Sequence, residues 1–160
     1  MLSLKPRYRL LGFSSLSKLT HMDTQAPAQK KKVLLIDDDQ FLVSLYKKNA
    51  EQYPIELTTA ISGEEALVIL RGGYVPDNIL LDINMPGMSG VEVLKAVRDE
   101  KLAPNADMTI LSNIHQAEHE EEFRKLGIQR FLPKSFLLPS QVLGYVVNGF
   151  GTDWAETNPA

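Results

Sequence analysis

Five short, mostly apolar runs limit what this chain can fold into: 33–36 (VLLI), 55–59 (IELTT), 78–81 (NILL), 108–111 (MTIL) and 128–132 (IQRFL). Three of them show no polar alternation, the pattern of strands buried on both faces. Helical spacing fills the intervals. Residues 40–52 carry Leu42, Leu45, Tyr46 and Asn49 at helical intervals. Ser62 with Glu65, and Ser89 with Glu92, fit capping boxes that open two more helices. Gly72-Gly73 ends the first of these, and Val93, Leu94 and Val97 share one face of the second. Residues 116–126 read as a charged helix stopped by Gly127, and 139–150 as a final helix. Strands alternating with helices predict an α/β doubly wound parallel sheet, covered on both faces and joined by right-handed crossovers.

The charge is divided unevenly. Residues 1–32 hold seven Lys/Arg and one acid, whereas the remainder holds ten basic and nineteen acidic residues. An acidic body argues against direct nucleic-acid binding by bulk charge. No apolar run approaches a membrane span, so no membrane partner is expected. The absence of cysteine excludes disulfides and cysteine-based metal or nucleophile chemistry. Residues 1–21 lack acids and resemble a transit peptide, but no uninterrupted apolar stretch supports a secretory signal. We rank a start at Met22 first, a disordered tail second and targeting last. The expected layout is a disordered basic leader over 1–30, one domain over 31–150 and a short tail over 151–160.

Polar residues stand where the apolar runs end. Asp37 and Asp38 follow the first, Asp82 the third, Ser112 the fourth and Lys134 the fifth. In an open α/β sheet the ligand site lies at those carboxyl ends. Carboxylates gathered there repel one another, and a divalent cation relieves the repulsion; an all-oxygen set suits Mg²⁺. A hydroxyl and an ammonium facing that cation make a cradle for a phosphoryl group. Asp39 directly precedes the first helix and reads as its N-cap.

The segments VLLIDDDQ, PDNILLDINMPGMSGVEVLK, TILSN and FLPKSF together resemble the response-regulator receiver domain of two-component signalling, over about residues 31–150. That resemblance implies a flavodoxin-like (βα)5 fold with strand order 2-1-3-4-5. It implies Asp82 as phosphoacceptor from a sensor histidine kinase or phosphotransfer protein. Asp37, Asp38, Asp82 and the backbone carbonyl of Asn84 would hold Mg²⁺. Ser112 and Lys134 would contact the phosphoryl group. Phe131 takes the switch-aromatic position, coupled to Ser112, and the face of the fourth helix, fifth strand and fifth helix would repack for a downstream protein. A cytoplasmic stand-alone regulator, monomeric or weakly dimeric and not an enzyme in the ordinary sense, follows from the same resemblance.

Three positions depart from the family's common pattern. Ser135 replaces a proline, so a trans Lys134–Ser135 bond is expected, because cis costs about 2.5–4 kcal/mol without proline. Asn113 replaces a small residue and narrows access. Phe131 replaces a tyrosine and removes a hydroxyl, altering output in degree. His115-Gln-Ala-Glu-His119 matches the spacing of inverted zinc peptidases, and we take the match as chance. Residues 136–152 carry no charge, which disfavours a dimer built on salt bridges there; burial is the default explanation. Two alternatives stand beside the switch. One is a haloacid-dehalogenase-type phosphatase, mimicked by Asp37-x-Asp39, Ser112 and Lys134 but lacking an acidic pair after the lysine. The other is a scaffold that functions without phosphorylation.

Overall fold

The computed structural model describes residues 29–113, 120–128 and 130–149. Its strands are β1 (Lys31–Ile36), β2 (Ile55–Ala60), β3 (Asn78–Asp82), β4 (Asp107–Ser112) and β5 (Arg130–Pro133). The helices are α1 (Gln40–Ala50), α2 (Gly63–Arg71), α3 (Gly90–Asp99), α4 (Glu120–Lys125) and α5 (Pro139–Asn148). All pairings are parallel and the order is β2-β1-β3-β4-β5, the doubly wound arrangement expected.

The pleat divides each central strand between two cores. Leu34, Ile36, Ile79, Leu81 and Ile110 face α2, α3 and α4. Val33, Leu35, Leu80, Leu111 and Leu132 face α1 and α5. Two apolar faces explain the unbroken hydrophobic runs. Burial of Val142, Leu143 and Val146 likewise accounts for part of the apolar character of α5.

The caps follow the sequence with one variation. Ser89 Oγ accepts from Glu92 N–H, while the Glu92 carboxylate accepts from the Ser89 N–H at 2.8 Å. Ser62 Oγ accepts from Glu65 N–H, but the Glu65 carboxylate reaches one residue further back, to Ile61 N–H at 2.8 Å. Asp39 caps α1 by accepting from the N–H groups of Phe41 and Leu42.

One boundary needs correction. The run at 128–132 suggests a strand beginning at Ile128, whereas β5 begins at Arg130. Ile128 instead closes α4. Gly127 has φ +78°, its N–H donates to Arg124 O, and Ile128 N–H donates to Phe123 O at 2.9 Å. That bond pair is a Schellman cap, whose apolar residue packs back on the last helical turn. Burial of Ile128 beside Phe123 therefore reflects a helix end, not a strand. The expected leader and tail, apart from residues 29 and 30, and the His115–His119 motif lie outside the described residues. Among the described residues, no helix is long and apolar enough to cross a membrane.

Candidate functional site at the carboxyl ends of the strands

Register alone assembles the site. Ile36 pairs with Leu81, so Asp37 and Asp82 stand abreast at the ends of β1 and β3. Asp82 pairs with Leu111 and Ser112 with Pro133, which brings Ser112 and Lys134 to the same rim. Each of Asp37, Asp38 and Asp82 offers a carboxylate oxygen, and these oxygens lie within 4.8 Å of one another. Asp37 and Asp82 are buried, whereas Asp38 is open to solvent.

Lys134 joins the two buried acids. Its ammonium lies 2.6 Å from Asp37 Oδ2 and donates to Asp82 Oδ2 at 2.7 Å. The other oxygen of each carboxylate is held by the backbone. Asp37 Oδ1 accepts from Asp39 N–H at 3.0 Å, and Asp82 Oδ1 accepts from Asn84 N–H at 3.2 Å. Each carboxylate is thus pinned in orientation by the amide two residues downstream.

The electrostatics are tense. Burial raises the Asp37 carboxyl above its ordinary value, although Lys134 and the Asp39 amide pull it down. Burial pulls the Lys134 ammonium down, but Asp37 and Asp82 outweigh it and hold that group above its ordinary value. Burial, then the Asp37 charge, pushes the Tyr46 phenol up. Asp37 Oδ2 is fully buried, and its contact with Lys134 is an ion pair without well-aligned hydrogen-bond geometry. A buried oxygen with spare lone pairs, beside two further carboxylates, fits a hard divalent cation.

The remaining expected residues lie as follows. Ser112 is half-buried, and its carbonyl accepts from Lys134 N–H at 3.3 Å. Asn84 and Asn113 are exposed beside the acids and the serine respectively. The Lys134–Ser135 bond is trans, as its non-proline character implies. Phe131 is half-buried on the α3–α4 side, its ring centroid 5.3 Å from that of Phe123. The sequence reading did not single out Phe123, because its pairing crosses from helix to strand. Exposed Phe41 (72%), Phe136 (82%) and Leu138 lie close in sequence to the site residues Asp37, Asp38 and Lys134. A separate cleft of about 610 Å³, lined by Lys31, Asp77, Asn105 and Arg130 among others, opens at the opposite end of the sheet. Within it Arg130 pairs with Asp107 at 2.9 Å, and Lys31 donates to Val146 O.

A doubly wound parallel sheet with clustered carboxylates and a bridging lysine at its switch point defines a class of phosphate- and cation-handling α/β proteins. Within it the assignment is specific. Residues 33–143 match the response regulator receiver domain, and the chain belongs to that family. It is 33% identical over 111 residues to the alkaline phosphatase synthesis transcriptional regulatory protein PhoP of Bacillus subtilis. That alignment covers 66% of this chain and 43% of PhoP, so the chain spans less than half the length of that relative. Similarity to the polar-differentiation response regulator DivK of Brucella ovis is 28% over 109 residues, covering 68% of this chain and 88% of DivK. The receiver domain of Francisella response regulator 1452 superposes with TM-score 0.64 at 30% identity, covering 81% of this chain and 100% of that one. Chemotaxis protein CheY4 of Vibrio cholerae gives TM-score 0.65 at 29% identity, covering 73% of this chain and 96% of CheY4. The chain is therefore a receiver domain of two-component response regulators with the fold expected of it.

Proposed function

We propose that this receiver is a phosphoacceptor switch whose accepting group is Asp82. The observation that carries the reading is the Lys134 ammonium within hydrogen-bond distance of Asp82 Oδ2, beside the buried Asp37. In the transfer, an Asp82 oxygen attacks the phosphorus of a phosphohistidine. The phosphorus–nitrogen bond breaks, its electron pair returns to the imidazole, and an acyl phosphate remains on Asp82. Such transfer needs positioning and charge neutralisation more than covalent assistance. Asn84 N–H holds Asp82 in orientation, Lys134 neutralises a phosphoryl oxygen, and Ser112 hydrogen-bonds another.

Asp37, Asp38, Asp82 and the Asn84 carbonyl would hold Mg²⁺. When bound, that ion supplies positive charge against the incoming phosphoryl oxygens. Phe131 would turn behind Ser112 and leave Phe123, repacking the α4–β5–α5 face for a downstream protein. A sensor kinase or phosphotransfer protein is the donor.

The test is incubation with acetyl phosphate or phosphoramidate and Mg²⁺, followed by intact-mass measurement. An adduct of about 80 Da, lost in Asp82→Ala, is the expected result. No adduct on the wild-type chain rejects the switch in favour of the scaffold, and multiple turnover of phosphomonoesters rejects it in favour of a phosphatase.

A further inference from the structure

The neck of the loop that carries Asn84 is closed by a glycine with no room for a side chain. Gly90 is the first residue of α3, and its N–H donates to Ile83 O at 3.0 Å. A Cβ built on Gly90 falls 2.1 Å from Asp82 O, 2.8 Å from Ile83 Cα and 2.9 Å from Asp82 C. All three are backbone atoms, and none is the flexible end of a side chain. Relief requires α3 and the end of β3 to separate. The segment that must move is Asp82 to Asn84, the one that carries the accepting carboxylate and the amide orienting it.

Gly63 supplies an internal contrast. It too is buried at a helix start, and a Cβ there would meet Val93 Cγ2 at 2.6 Å and Met88 Cγ at 2.9 Å. Those are side-chain atoms of Val93 and Met88, as is Met88 Cβ at 3.0 Å, so the overlap falls on the packing of α2 against α3 and not on the backbone of β3. Overpacking at Gly63 therefore costs stability with no direct clash at Asp82.

We propose that Gly90 is a positioning residue for phosphoryl transfer: by admitting α3 onto the end of β3, it sets where the Asp82 carboxylate stands relative to Asp37, Asp38 and Lys134. The proposal rests on reading Asp82 as the phosphoacceptor. A displaced carboxylate loses alignment with both the cation and the donor, and small misplacements of a reacting group reduce rate steeply.

The test compares Gly90→Ala with Gly63→Ala. Folded fraction is measured by circular dichroism, Mg²⁺ affinity by calorimetry, and adduct formation from acetyl phosphate by intact mass. Rates are expressed per folded molecule, with trimethylamine N-oxide added where the folded fraction is low. Gly90→Ala is expected to weaken Mg²⁺ binding and slow adduct formation by about tenfold or more, in kcat rather than in KM for acetyl phosphate. Gly63→Ala should stay within about twofold of the wild type on both measures, despite its own loss of stability. Wild-type Mg²⁺ affinity and rate in folded Gly90→Ala would overturn the proposal. So would equal losses in the two variants, or failure of Gly90→Ala to fold even with osmolyte, either of which makes the glycine a folding requirement alone. If the wild-type chain forms no adduct while Gly90→Ala still loses Mg²⁺ affinity, the phosphoacceptor reading fails instead.

Discussion

Replacing Asp37 with asparagine should stabilise the fold while impairing the site. The side chain is fully buried, 2.6 Å from one ammonium and with its oxygen within 4.8 Å of two other carboxylate oxygens. At an effective dielectric constant of about 20, attraction to Lys134 at 2.6 Å is about 6 kcal/mol. Repulsion from Asp82 opposes it but is the smallest of the effects on Asp37, and burial is the largest. The cost of burying the charge, several kcal/mol before relaxation, outweighs the attraction. The raised carboxyl pKa expresses the same imbalance, with burial as its largest cause. Asparagine keeps an acceptor for the Asp39 amide, and Lys134 keeps Asp82 at 2.7 Å. We expect Asp37→Asn to gain about 2 kcal/mol, or about 8 °C in Tm, at pH 7 in EDTA. Because the folded-state pKa is raised, the ionised acid penalises the native state above that value, and the penalty disappears as pH falls through it. The advantage of the variant should therefore shrink on acidification and vanish below the ordinary value of 3.8. Added Mg²⁺ should raise the wild-type Tm by mass action and leave the variant nearly unmoved. Thermal melts monitored by circular dichroism across pH, with and without Mg²⁺, read all three effects. A variant less stable than wild type at pH 7 in EDTA, or an advantage independent of pH, would refute the reasoning.

Lys134→Ala removes the counter-charge from two buried acids and should cost about 3 kcal/mol in EDTA at pH 7, partly recovered by Mg²⁺, as chemical denaturation would show. Phe136→Ser alters a side chain that is 82% exposed. It should change stability by less than about 0.5 kcal/mol and leave the acetyl phosphate rate intact, while slowing transfer from a phosphohistidine protein in stopped-flow mixing. Ser89→Ala deletes the hydroxyl that caps α3 and should lower stability by about 1 kcal/mol in urea titrations, with adduct formation per folded molecule unchanged.

The site was legible because function interrupts burial at a fixed place. β1, β3 and β4 are apolar on both faces, so a polar residue in register at their ends stands out, and topology collects those ends at one rim. Asp39 was readable as a cap because a helix had to begin there. Ile128 was misplaced because an apolar residue before a strand and one sealing a Schellman cap look alike in sequence; only the φ of Gly127 separates them. Gly90 and Phe123 escaped notice for a different reason. Their importance lies in contacts made eight residues along the chain, between a helix and the strand next to it, which neither the helical nor the strand period encodes.

The orientation of Asp39 also decides between chemistries that the motif leaves open. Asp37-x-Asp39 is the spacing a phosphatase would need if Asp37 attacked phosphorus and a second acid protonated the leaving group. Both acids must then face the reacting centre. Here they diverge. Asp37 points inward onto Lys134, whereas Asp39 is exposed and committed to the amides of Phe41 and Leu42. Turning it inward would leave the first turn of α1 without its cap, at a cost of about 1 kcal/mol, and would add a fourth carboxylate to a cluster already strained by three. Asp38, although open to solvent, is the acid that joins the cluster, with a carboxylate oxygen within 4.8 Å of those of Asp37 and Asp82. Two adjacent acids after β1 therefore divide the work between helix start and carboxylate cluster. A strand end that spends one aspartate on the helix has none to spare for a leaving group. That division fits the proposed transfer to Asp82 better than it fits turnover of phosphomonoesters.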